Sequence, residues 1–176
     1  MKKFKYVLLL IVMLICSEKL FAQNGLRLAS EDSKYGFKNE NGEYVIEPQF
    51  DYARNFHEDR AAVGNRYENH AKYGFIDEKG NIRIEAKYDD AGDFSEGLAR
   101  VKVGKFRLYR NYYLWGFVDA AGKTVIKPRF SFVNDFHEGL ACFENYNWIH
   151  ALFNGIKYGY IDKRNEIVIK AKFNFA

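Results

Sequence analysis

An aromatic residue followed by glycine recurs four times along the chain, as Tyr35-Gly36, Tyr73-Gly74, Trp115-Gly116 and Tyr158-Gly159. The glycines lie 38, 42 and 43 residues apart. Such a period within 176 residues marks a repeat architecture, in which a unit that cannot bury its own apolar face buries it on its neighbour. A second aromatic follows each pair, at Phe37, Phe75, Phe117 and Tyr160. The pair therefore reads as the middle of a strand, here termed strand B. Glycine weakens a strand interior. An aromatic neighbour that covers the bare backbone explains the pairing without a ligand.

A turn follows each strand B: Asn39 to Gly42, Asp77 to Gly80, Asp119 to Gly122 and Asp162 to Asn165. Asp or Asn at the first position accepts hydrogen bonds from the turn backbone, and Gly at the fourth suits a positive φ. The pattern predicts a hairpin with a type I turn and a G1 bulge. Asn165 is the exception, and Asn is the residue next best able to adopt the left-handed conformation.

Strand C then alternates with period two. One face carries Tyr44, Ile46, Pro48 and Phe50, then Ile82, Ile84, Ala86 and Tyr88, then Thr124, Ile126, Pro128 and Phe130, then Ile167, Ile169, Ala171 and Phe173. The other face carries Glu47 and Gln49, Glu85 and Lys87, Lys127 and Arg129, Lys170 and Lys172. This predicts one buried and one solvated face. Pro48 and Pro128 share a register and predict a sheet edge or a bulge there. A connector follows, anchored by Phe56, Phe94 and Phe136, and leads into strand A of the next unit. The prediction is all-β: four three-stranded antiparallel units, at about 25–50, 60–88, 97–130 and 139–173. An open array and a small propeller-like ring both fit. Unequal spacings favour the open array.

The series aromatic-Gly, Phe/Tyr-Ile/Val-Asp-x-x-Gly, Val-Ile-x-Pro-x-Phe and Phe-x-Glu-Gly-Leu-Ala resembles the WG-repeat (KWG-repeat) family. Unit three, Trp115 to Phe130, stands nearest the pattern, and the other units have Tyr for Trp. Unit one departs at Lys38 and Asn39. The resemblance implies β-rich repeats in bacterial proteins, commonly exported or fused to other modules, and no shared catalytic activity.

The first 22 residues read as a secretory signal. Lys2, Lys3 and Lys5 precede an apolar run from Tyr6 to Cys16, and cleavage is expected between Ala22 and Gln23. An uncleaved anchor is the alternative. Lipidation at Cys16 is disfavoured because Ile15 is bulky. Removing four Lys and one Glu takes the formal charge from +4 to +1. A near-neutral repeat domain, 23–176, has no global field to recruit nucleic acid. Export to the periplasm, cell surface or medium is expected, with no membrane span after cleavage. One cysteine, Cys142, would remain, and it reads as a small core residue.

No phosphate-cradling glycine motif and no zinc-type spacing of Cys or His is present. No cofactor, metal or catalytic constellation is expected. His57-Glu58 and His137-Glu138 share one repeat register and read as connector surface rather than acid–base machinery. The copies differ most between strands A and B. Unit three carries an insert at 104–114 and unit four at 144–157, both rich in aromatics. Loops that lengthen on one face of a repeat protein often bind. Arg107, Tyr109, Tyr112 and Trp148 are therefore the candidate ligand residues, set against a plain longer hairpin. The expected role is a non-catalytic scaffold for a protein or peptide at the envelope, with a polysaccharide module as the alternative. Oligomeric state is unconstrained.

Overall fold

The computed structural model describes residues 25–68, 70–107, 110–145 and 156–173, with backbone alone at 105–107, 110–112 and 145. The expected cleavage point at Ala22 and Gln23 therefore lies outside the described residues, as do Tyr109 and Trp148. Fourteen strands form four antiparallel sheets, and no described residue is helical. Sheet one is β1 (Arg27–Glu31), β2 (Lys34–Lys38) and β3 (Tyr44–Phe50). Sheet two is β4 (Tyr52–Ala53), β5 (Ala61–Tyr67), β6 (His70–Ile76) and β7 (Ile82–Tyr88). Sheet three is β8 (Asp90–Ser95), β9 (Leu98–Arg107), β10 (Arg110–Asp119) and β11 (Thr124–Phe130). Sheet four is β12 (Leu140–Asn145), β13 (Lys157–Asp162) and β14 (Ile167–Phe173).

The connector is a fourth strand where three were expected. β4 and β8 pair with the strand A that follows them, and Val133 bridges Phe143 in the same way. A tight turn joins connector to strand A, with positive φ at Glu58-Asp59, Glu96-Gly97 and Glu138-Gly139. Two consecutive positive φ values define the mirror-image turn whose twist suits a hairpin.

Strands B and C meet through a bulge, and the bulge accounts for the glycine. Tyr73 faces Tyr88 and Phe75 faces Ile84, so strand C holds two more residues than strand B between these points. The surplus backbone folds over Gly74, where a Cβ would collide with the Ile84 carbonyl oxygen and sit 2.8 Å from the Ala86 nitrogen. The same main-chain positions crowd Gly36, Gly116 and Gly159. Strand C itself, rather than an aromatic ring, covers the glycine. Pro48 and Pro128 sit in this bulge on edge strands, which satisfies both sequence expectations.

The bulge also corrects the reading of strand C as a uniformly buried face. Ile46, Ile84 and Ile126 are buried, and so are Phe50, Tyr88 and Phe130. The residues between and before them are not, and Ile82 and Ile167 are more than half exposed. Two extra residues carry the intervening side chains away from the core.

Three cores join the four sheets. Between sheets one and two lie Phe37, Ile46 and Phe50 against Ala61, Val63 and Ile76. Between sheets two and three lie Phe75, Ile84 and Tyr88 against Phe94, Val101 and Val118. Between sheets three and four lie Phe117, Ile126 and Phe130 against Phe136, Phe143 and Ile161. Each connector Phe meets a strand B Phe of the preceding sheet, at 4.7 Å for Phe37–Phe56, 5.0 Å for Phe75–Phe94 and 4.7 Å for Phe117–Phe136. A ring of four sheets would need a fourth core, between sheets four and one. Among the described residues the cores are three in series, which makes this an open repeat array.

The turns are as expected. Gly42, Gly80 and Gly122 have φ of 83°, 81° and 78°, and Asn165 takes the same conformation at 68°. Asp77 is the buried polar residue of the described core. Its carboxylate accepts from the Lys79 and Asn81 N–H groups at 3.0 and 2.9 Å and from Arg83 Nε at 2.8 Å.

Candidate functional site

The three junctions between sheets are built from equivalent residues, so each serves as a control for the others. At the first, Lys34 begins strand B and Asp51 follows strand C. Lys34 Nζ lies 2.8 Å from Asp51 Oδ1, and Asp51 Oδ2 accepts from the Arg66 N–H at 2.9 Å. One carboxylate thus ties the adjoining ends of strands B and C to strand A of the next sheet. The Arg66 N–H, and after it Lys34, holds the Asp51 carboxyl below its ordinary range. The second junction repeats this latch. Lys72 Nζ lies 2.7 Å from Asp89 Oδ1, and the Gly104 N–H donates to Asp89 Oδ2 at 2.6 Å. Burial pushes the Asp89 carboxyl up, but Lys72 and the Gly104 N–H outweigh it and the carboxyl sits low.

The third junction lacks both halves of the latch. Leu114 stands at the lysine position and Ser131 at the aspartate position. Sheets three and four part here into a cleft of about 540 Å³, lined by those two residues, a volume in the range of small-ligand sites. Phe130 and Phe143 form its floor, with ring centroids 5.3 Å apart. Ile167 and Ala171 of β14 add an aliphatic wall. Arg129 and Lys170 stand exposed at the cleft, and Glu144 is the one carboxylate of its lining. The corresponding cleft at the first junction, over Phe50, Val63 and Ile82, encloses about 130 Å³ and places Glu85 where Lys170 stands.

The third junction is held elsewhere. Arg100 Nε pairs with Asp135 Oδ1 at 2.9 Å, and Arg100 donates to the Val133 carbonyl at 3.1 Å. The guanidinium lies 5.0 Å from the Trp115 ring, within cation–π range. Burial raises the Asp135 carboxyl, with Arg100 opposing. A ladder of glutamates supplies a further tie at the tight turns. Glu58 accepts from the Glu96 and Gly97 N–H groups at 2.6 and 2.7 Å. Glu96 in turn accepts from the Gly139 N–H at 3.0 Å and pairs with Lys163 at 2.8 Å. The Lys163 bond and then the Gly139 N–H hold the Glu96 carboxyl low. A Glu at this position therefore stitches its turn to the next unit's turn.

A family profile described as a WG containing repeat matches residues 35–66, 73–105, 115–147 and 158–176. The chain belongs to the WG-repeat family. Each of the first three matches runs from strand B of one sheet to strand A of the next, so a WG repeat straddles a sheet boundary. That stagger locks neighbouring sheets covalently as well as by packing. No curated protein and no solved structure matches the chain.

The residues singled out from sequence divide unequally. Arg107 and Tyr112 lie on β9 and β10, which extend as one ten-residue-by-ten-residue hairpin in which Arg107 faces Arg110 and Tyr112 faces Lys105. The unit-three insert is therefore a longer hairpin, its base at the cleft through Leu114. Tyr109 and Trp148, the other two candidates, fall outside the described residues. The His57-Glu58 pair borders a depression of about 560 Å³ with Leu28, Phe56, Asp59 and Glu78. Its Glu58 oxygens are already engaged at the junction, and His57 Nε2 sits 3.8 Å from Asp93. Cys142 is buried, and burial pushes its thiol above the ordinary range. The absent latch was missed from the sequence. Its signal was there: Lys34/Asp51 and Lys72/Asp89 change together to Leu114/Ser131.

Proposed function

We propose that the chain is an exported, non-catalytic WG-repeat scaffold whose third junction holds a protein or peptide partner at the bacterial envelope. The observation that carries this reading is the coordinated loss of the lysine–aspartate latch where the junction opens into an apolar-floored cleft flanked by cations. A repeat that only needed to be stable would keep the latch that its neighbours use. Unequal units on a regular scaffold are how solenoid proteins create a binding face. No cluster of three or more His, Cys, Asp or Glu among the described residues is placed to hold a metal, and the clustered carboxylates are spent on turns and junctions.

The reading is tested with the full chain in living cells. A photo-crosslinking residue at position 114 should join the chain to one discrete protein. The pair Leu114→Lys and Ser131→Asp, which rebuilds the latch, should abolish that product when the crosslinker is moved to position 167. N-terminal sequencing of the exported protein should begin at Gln23. A cross-linking pattern unchanged by the rebuilt latch would refute the site.

A further inference from the structure

The charge and shape of the third cleft specify its occupant. Arg129 and Lys170 are exposed, and neither forms an ion pair among the described residues. Their equivalents at the first junction are Gln49 and Glu85, so that junction offers neither cation. The second junction has Lys87 and Lys127 at these positions, but the Lys72–Asp89 latch spans it. The third junction alone combines both cations with the missing latch. Between the cations the lining offers the aliphatic side chains of Leu114, Ile167 and Ala171 beside Ser131 and the half-buried Glu144, while Phe130 and Phe143 are less than a tenth exposed. Buried rings offer no stacking face to a sugar, whereas an aliphatic wall suits an apolar side chain. β11 and β14 are the outermost strands of their sheets. Edge strands leave main-chain donors and acceptors that an extended peptide can meet.

We propose that the third junction recognises an extended acidic peptide segment. An apolar side chain of that segment lies against Leu114, Ile167 and Ala171, and its flanking carboxylates pair with Arg129 and Lys170. This deepens the scaffold reading and rests on the third junction being the binding site. Carboxylates paired with Arg and Lys at an exposed rim give selectivity for sign more than raw affinity.

The test measures fluorescence anisotropy on the purified exported chain. The probes are a fluorescein-labelled peptide of alternating Leu and Glu, its Leu/Lys counterpart, and an oligogalacturonate as unlabelled competitor. The Leu/Glu peptide should bind at least tenfold more tightly than the Leu/Lys peptide and weaken with added salt. Arg129→Glu with Lys170→Glu should reverse that preference. Leu114→Lys with Ser131→Asp should remove binding while the thermal transition is retained or raised. Equal binding of the two peptides would overturn the proposal, and so would equally effective competition by the oligogalacturonate. If the Leu/Glu peptide fails while a crosslinker at position 114 still captures one protein in a latch-sensitive way, the acidic-peptide inference falls and the site reading stands. If the crosslinker captures nothing, both fall.

Discussion

Gly74→Ala separates two explanations of the repeated aromatic-Gly pair by the sign of one number. If glycine were merely tolerated under a covering ring, alanine should be neutral or better, because Gly in a strand interior is about 0.5–1 kcal/mol worse than Ala. The geometry predicts the opposite. The new methyl would meet main-chain atoms of Ile84, Glu85 and Ala86, not the movable end of a side chain. Overpacking of this kind costs about 1–3 kcal/mol, and the rigid contact places it near the top of that range. After the entropic offset, about 2 kcal/mol of destabilisation is left. For a chain of this size, about 2–4 °C per kcal/mol gives a fall of about 4–8 °C in the thermal midpoint. Thermal unfolding followed by far-ultraviolet circular dichroism reads it directly. The same sign is expected at Gly116, which faces Ile126, Lys127 and Pro128 in the same way. An unchanged or raised midpoint in both variants would refute the bulge account and return the pair to aromatic cover.

Four further outcomes follow from the junctions and turns. Leu114→Lys with Ser131→Asp should stabilise the fold by up to about 1 kcal/mol if the rebuilt pair behaves as a half-exposed ion pair, a rise of up to about 4 °C in the thermal midpoint. Asn165→Ala should cost about 1 kcal/mol in chemical denaturation, because at φ of 68° Ala is less tolerant of the left-handed conformation than Asn, whereas Asn165→Gly should not. Stability should fall on acidification below about pH 4. Asp51, Asp77, Asp89, Glu96 and Asp162 all have folded values below their unfolded ones, so their contribution is present above the unfolded carboxylate range and is lost as pH drops through the folded values. Glu78 and Asp135 are raised by burial and work weakly the other way, so the measured loss in an acid titration should be reduced by Asp77→Asn and enlarged by Asp135→Asn. The Cys142 thiol should resist a disulfide reagent in the folded chain and react on unfolding.

Much of the fold could be read from one chain because repetition supplies its own comparison. Four aligned copies fixed strands B and C and the turn, and three fixed the anchoring Phe of the connector. Asn165 was predictable as the stand-in for Gly because the other three copies defined what the position needs. The bulge was only half legible. Pro48 and Pro128 pointed to a bulge or an edge, but two units carry Ala there, and alternation in sequence looks the same whether or not two residues loop out. The fourth strand was hidden because its pairing is set by the hairpin turn and not by a hydrophobic run, and at β4 it is only two residues long. The site was less legible still. Aromatic inserts draw the eye, whereas an opened cleft is written in what two distant positions lack.

The two ends of the array show how far the same logic extends. In sheets two to four, the face turned toward the preceding sheet carries Ala61 with Ile76, Ala99 with Val118, and Ala141 with Ile161. Sheet one puts Arg27 opposite Lys38 in that register. A sheet whose outer pair is charged needs no neighbour, which is how terminal repeats stay soluble. The opposite face of sheet four is different. Phe173 is 40% exposed where Phe50, Tyr88 and Phe130 are buried, and Ile169 is half-buried where Ile84 and Ile126 are enclosed. Ile84 and Ile126 thus face inward as the repeat reading required, and Ile169 is less covered for want of a described sheet beyond it. The array is therefore polar in both senses: one end is charged, while the other keeps the apolar character of an internal face. The unlatched third junction lies next to that apolar end, so a partner strand seated between β11 and β14 would brace β14, whose described residues include none that is buried. Binding should for this reason slow amide hydrogen exchange most in β14 and least in sheet one. Unchanged exchange in β14 at saturating peptide would mean that the occupant does not sit against it.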